Sequence, residues 1–465
     1  MKYISIFSAI FLLALFFFIW GVVAAEYEKF PWALIDSAQN EIAAIFKGGE
    51  AREKALKRLK HETGLWPEKM MGEFKKSEKR SYRSVDIAGL RKRRQLGPLL
   101  FSGTESAISG GYLIIWGAFD FEQDLHGAIL MDEKGNVINK WIPDREALKE
   151  MIKERAGSSK GGKAGGEYEK SEDLPQGYAV FSDGSVLFND GDPGNGMQKL
   201  AYDSESVWVK PGEFNHFIAK QKQDSVVWTI ESDHTLHKIN VDTGSTLEKL
   251  MIEEIMLSNP DMDVLSLRYD DFEDQWFNDR WHLNDADPLP EAYADEFSGF
   301  RAGDLLLSLR SLNALMVVDP VSQKIKWFKI GEFSRQHDPD WQKNGTITVY
   351  DNRPRDVYGD KKIKDTPPRF SRILEINPET DSTKILYDGE KDGFYSRIRG
   401  KHQVLPNGNI LITSSGQGRV LVVNPRDETV FEFINSYSGD EVLFVSEAIW
   451  VPHDFFDFDP EKKDS

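Results

Sequence analysis

Five of the nine histidines stand at the head of a strand-like run. They are His126 in "LHGAILM", His216 in "FNHFIAK", His282 in "WHLND", His337 in "RQHDPDW" and His402 in "GKHQV". An imidazole can ligate a metal, carry a proton or attack as a neutral nucleophile. A single histidine at a strand entrance more simply bonds nearby backbone. The neighbours shift that balance for His282, His337 and His402. "YDNRPRD" adds Asn352, Arg353 and Arg355, and Arg399 and Lys401 flank His402. Histidines beside guanidinium and amide donors suit a tetrahedral anion. Zinc held by three histidines with one open position is the competing chemistry. His126, His61 and His453 read as structural. His234 and His237, three apart on a strand, face opposite sides and make a shared metal unexpected. No G-x-S-x-G nucleophile motif is present, and "SSGQGR" (414–419) lacks the lysine and helix of a phosphate loop.

A self-comparison supplies the elements that would bring these residues together. Units start near His126, Gly177, His216, His282, His337 and His402. Each has a turn such as Asn-Gly or Asp-Gly, a β-branched strand, a "VNP"- or "VDP"-like turn and a last mixed strand. Six units of about four strands predict an all-β, six-bladed β-propeller. In that fold, equivalent positions near the axis form a ring at one mouth of the channel. A pair of β-sandwiches is the alternative. The run "EVLFVSEAIWVP" (441–452) is expected to close the ring against the first unit. Excursions at 145–175 and 251–280 fall outside the repeat.

The propeller is assigned to residues 99–457, with a tail at 458–465. Before it, residues 27–98 read as a helical segment (27–65) followed by a basic linker (75–97) that could touch anionic lipid. Residues 1–26 read as a membrane anchor or signal. The stretch from Tyr3 to Ala25 carries no charge. At about 1.5 Å per residue it spans roughly 33 Å, against a hydrocarbon core of about 30 Å. An uncleaved anchor is favoured, and a cleaved secretory signal is the alternative. Either exports the rest of the chain. The net charge of −18 argues against nucleic acid as a partner, and an anionic substrate would need local positive charge. Cysteine is absent from the 465 residues, which removes disulfides and thiolate chemistry.

Three segments carry a resemblance. "WHLND" with "FRAGDLLLSLRSLNALMVVDP", "RQHDPDWQKNGTITVYDNR" and "KHQVLPNGNILITSSGQGRVLVVNP" together resemble the arylsulfotransferases that use aryl sulfate esters rather than a nucleotide donor. The resemblance covers most of residues 100–455. It implies a six-bladed propeller in the periplasm, here held at the inner membrane by residues 3–25. It also implies transfer of a sulfuryl group from a phenolic sulfate to an acceptor phenol through a sulfohistidine, with no cofactor and no metal. On the resemblance, His402 would be the nucleophile. His282 and His337 would hold the sulfate and assist proton transfer, and Asn352 with Arg355 or Arg353 would bind its oxygens. His216 joins the substrate-binding set as a ring member. Two departures are a helical N-terminal region, where members carry a small β-domain often linked to dimerisation, and a Lys/Asp-rich insertion after "DNRPRD". Homo-oligomerisation is therefore left open. The competing functions are a propeller that binds a sulfated or glycosidic ligand without turnover, and a sulfatase-like or metal-dependent hydrolase.

Overall fold

In the computed structural model, the described residues are 68–69, 83–85, 99–103, 107–121, 124–143, 176–189, 196–221, 224–232, 234–270, 275–276, 280–354, 370–438 and 441–462. They all belong to one compact unit, Trp66–Ser465. Five four-stranded antiparallel sheets, and four strands of an eight-stranded one, make the six expected blades. The expected anchor at residues 3–25, the helical segment at 27–65 and the excursion at 145–175 lie outside the described residues. Among the described residues, no helix is long and apolar enough to cross a membrane.

The inner strands, from blade one to blade six, are Val445–Pro452, Tyr178–Val180, Phe214–Gln221, Leu283–Pro288, His337–Trp341 and Lys401–Val404. The second and third strands explain the continuous apolar runs. Leu305–Leu309 and Ala314–Val318 of blade four are buried at every position, because both faces pack on neighbouring blades. The outermost strand alternates instead: Thr246–Met251 of blade three buries only Leu250. One apolar cluster fills each of the six gaps between successive blades. The Asn-Gly turns place Gly345 and Gly408 at φ of 74° and 81°, which glycine adopts without strain.

The chain ends interlock the ring. Val445–Pro452 pairs with Gly111–Phe121, so the last strand is the innermost one of the first blade, as expected. Leu99–Gly103 adds a fifth strand to blade six, against Thr429–Ser438. One correction follows. His126, the expected head of the first unit, lies instead on the third strand of blade one, Asp124–Met131, and does not line the channel mouth. The helix Ile252–Ser258, the turn Asp263–Ser266 and a two-residue hairpin connect blades three and four.

Candidate active site at the channel mouth

Four inner strands begin with a bulge, one of them between Val445 and Glu447 in blade one. The ladder slips between Asn215 and Ile218 in blade three, between Leu283 and Asp285 in blade four, and between His337 and Asp340 in blade five. An extra residue re-aims its neighbours, and here the strand heads turn into the channel. His216 and His282 take left-handed backbone conformations, with φ of 61° and 47°. Such conformations are uncommon for non-glycine residues and cluster at functional sites.

The result is a cavity of about 420 Å³ to which all six blades contribute. His216, His282 and His337 line it together with Asn284, Arg310, Arg399 and Lys401. Gln176 of blade two and Ser446 of blade one complete the ring. The His216 and His282 ring centroids are 4.8 Å apart. The Arg310 amide donates to the His282 carbonyl at 3.1 Å, which ties the guanidinium-bearing residue to the histidine head. The Gln176 side chain accepts the His216 amide at 3.0 Å.

The tautomer of His337 is set by its surroundings. The Asn352 amide nitrogen donates to the carbonyls of Ser396 at 3.0 Å and Arg399 at 2.6 Å. Its oxygen therefore faces His337 Nδ1 at 2.7 Å, and the Arg335 carbonyl lies 3.1 Å from the same nitrogen. Both partners are acceptors, so Nδ1 carries the proton and Nε2 keeps the lone pair. The Arg399 amide donates to Nε2 over a long 3.2 Å. Burial lowers the His337 pKa well below its ordinary value. The Arg310 charge adds to this, the Asn352 hydrogen bond opposes it, and His282 and His216 lower it further. His337 is thus a neutral imidazole at pH 7.

His402 is placed elsewhere. Tyr350 and Thr413 each fall five residues after a turn glycine, 345 and 408. His337 opposes Tyr350, whereas the residue opposing Thr413 is Lys401. His402 sits one step further in, on a strand without a bulge. Its side chain is fully buried. Nδ1 donates to Asp338 at 2.8 Å, and Thr348 Oγ1 lies 2.7 Å from Nε2. It borders a second cavity, of about 450 Å³, which Asp287, Asp340, Glu447, Tyr178 and Trp450 also line. The expectation that His402 shares one cavity with His282 and His337 is therefore corrected. The ladder shift moves it below the floor.

The expected sulfate ligands also redistribute. Asn352 is fully buried and holds His337 rather than lining the cavity. Arg353 is outside the lining too, with its guanidinium 3.4 Å from the Phe370 carbonyl. Arg355 lies outside the described residues. The reading of the sequence missed Asn284 and Arg310. Arg310 follows the second strand of blade four as Asn352 follows that of blade five, so the repeat itself carried the signal. The zinc geometry is not found at the histidine ring. Among the described residues, the group whose ligand atoms converge within 4.8 Å is Asp338, Asp340 and His402.

Arylsulfotransferase (ASST) is the family model that matches the chain, over residues 202–436, half of its length. The chain belongs to the arylsulfotransferase family. The matched span runs from blade two into blade six and holds every cavity histidine. No curated protein matches the chain. It is similar to a Bacteroides caccae protein of unknown function, at 11% identity and TM-score 0.44, covering 74% of this chain and 99% of that one. A virginiamycin B lyase from Staphylococcus aureus matches at 10% identity and TM-score 0.34, over 56% of this chain and 70% of that one. The Neurospora crassa Pan2 WD40 domain matches at 12% and 0.35, over 71% and 74%.

Proposed function

We propose that this arylsulfotransferase moves a sulfuryl group from a phenolic sulfate ester to an acceptor phenol through a sulfohistidine at His337. The observation that carries the reading is a neutral imidazole with a locked tautomer, facing a cavity that also holds Arg310, His216 and His282. The assignment moves the nucleophile from His402, the expectation from sequence, to His337.

In the first half-reaction, Nε2 attacks sulfur in line. The N–S bond forms, the S–O bond to the aryl group breaks, and the phenolate takes a proton from His282 or His216. In the second, the acceptor oxygen attacks sulfur, the N–S bond breaks, and the phenolic proton passes to the same histidine. Sulfuryl transfer, like phosphoryl transfer, spreads charge over peripheral oxygens, so positioned donors do most of the work. Arg310, Arg399 and Lys401 supply that charge. The long Arg399 amide bond to Nε2 is the contact that attack must release.

The test is intact-mass analysis after adding 4-nitrophenyl sulfate without acceptor. One added sulfuryl group on His337, removed by phenol, is expected. Sulfation mapped to His402, or steady nitrophenol release without acceptor, overturns the reading in favour of the other histidine or of hydrolysis. We also propose that the reaction runs in the periplasm, on the strength of the uncharged run at residues 3–25. Protease access to the propeller in intact spheroplasts tests that.

A further inference from the structure

His402 has no part in the chemistry above, yet it is buried and both ring nitrogens are engaged. Its partner Asp338 follows His337 directly and holds a left-handed backbone, φ 53°. One Asp338 oxygen accepts from the His402 amide at 2.5 Å and from Nδ1 at 2.8 Å. The other meets Lys401 Nζ at 2.8 Å, and Lys401 also donates to Asp285 at 3.0 Å. Asp285, Asp338 and Lys401 border both cavities and form the floor between them. The Asp338 carboxylate is thus a hub. It joins the strand that carries His337 to the strand that carries Lys401, and His402 holds it from below.

We propose that His402 is a positioning residue. Through the Nδ1 hydrogen bond to Asp338 it fixes the floor on which Lys401 and His337 meet the transferring group. The inference rests on the sulfuryl-transfer reading for what is positioned, but not for the geometry. A carboxylate with two directed partners keeps one orientation, and losing such an outer partner commonly lowers activity about 10- to 100-fold. Thr348 completes an Asp–His–Thr chain, but it is 1% exposed and borders neither cavity, so no substrate reaches its hydroxyl.

The two ring nitrogens can be separated by substitution. An asparagine amide reaches where Nδ1 was, and a glutamine amide reaches where Nε2 was. His402→Asn is expected to keep kcat within about threefold of wild type, and His402→Gln to lose at least about tenfold in kcat at similar KM and Tm. Equal losses in both variants overturn the proposal. So does failure of His402→Asn to accept a sulfuryl group when wild type does. A second readout needs no turnover: the His337 ring ¹⁵N resonances should match wild type in His402→Asn and move in His402→Gln. If wild type transfers no sulfuryl group, the reaction reading falls. The resonances then decide the positioning claim alone, and unmoved His337 signals in both variants overturn it.

Discussion

A neutral histidine nucleophile depends on which nitrogen holds its proton, and at His337, the nucleophile proposed above, that choice is made by Asn352. The amide of Asn352 is pinned by two carbonyls, so its oxygen cannot turn away from Nδ1. Replacing Asn352 by Asp puts a negative charge there, which favours the imidazolium and raises the His337 pKa. The acid limb of kcat/KM should then move to higher pH, with activity lost at pH 6 and regained at higher pH. Wild type, with His337 held well below its ordinary value, should show no loss from this group at pH 6. Superimposed pH profiles for Asn352→Asp and wild type would refute the tautomer lock. Arg310 carries a separate prediction. Arg310 lines the cavity, and on the proposed reaction its guanidinium meets charge that develops on the sulfuryl oxygens, so Arg310→Met should lower kcat/KM by about 10²–10³. Initial rates with 4-nitrophenyl sulfate and phenol measure it, and a loss under tenfold would remove Arg310 from that role.

At the scale of the strand, one ladder step separates a channel residue from a floor residue. The bulges that swing His216, His282 and His337 into the cavity each insert backbone that no hydrophobic pattern announces. Blades and strand count were legible because turn chemistry and β-branched runs recur. His402 matches the ring histidines in residue type but not in its distance from the turn. "HDPDWQKNG" places its glycine eight residues after His337, whereas "HQVLPNG" places it six after His402. The first blade departs from the repeat for a different reason: its inner strand comes from the other end of the chain, the run at 441–452, so His126 heads no inner strand. Blade six also holds an unusual buried pair, Arg419 with Glu432, 1% and 0% exposed. Arg419 Nη2 reaches Asp392 at 3.3 Å as well. Removing the Glu432 charge leaves the buried guanidinium with Asp392 as its carboxylate partner, so Glu432→Gln should cost about 1–3 kcal/mol. Urea unfolding measures it, and a loss under 1 kcal/mol would mean the guanidinium finds other acceptors.

At the scale of the whole ring, the channel sorts its ionisable side chains along its axis. Arginines and histidines surround the upper cavity, while Asp287, Asp340 and Glu447 surround the lower one. In a chain of net charge −18, the upper mouth with its arginines is the end that suits an anion, whereas burial favours the protonated form of the lower cavity's carboxyls. That arrangement has a thermodynamic signature. Burial raises the Glu447 carboxyl to about 8; Lys401 opposes the shift, and Asp338 and Asp285 reinforce it. The folded state therefore keeps a proton on Glu447 that the unfolded chain, with an ordinary pKa of about 4.3, has released. Stability from this group is complete below pH 4.3 and is lost as pH rises through about 8. Asp287 and Asp340, also raised by burial, act with the same sign. Asp338, which burial would raise but Lys401 and His402 hold well down, acts oppositely, and only below its ordinary value of about 3.9. Between pH 5 and 9 the melting temperature should fall, and Glu447→Gln should flatten part of that fall and melt higher than wild type at pH 9. Glu447 lies on Val445–Pro452, the strand that closes the ring, so its ionisation loads the closure itself. Calorimetric scans of both proteins across that range decide the matter. Parallel curves would show that Glu447 ionises freely in the fold.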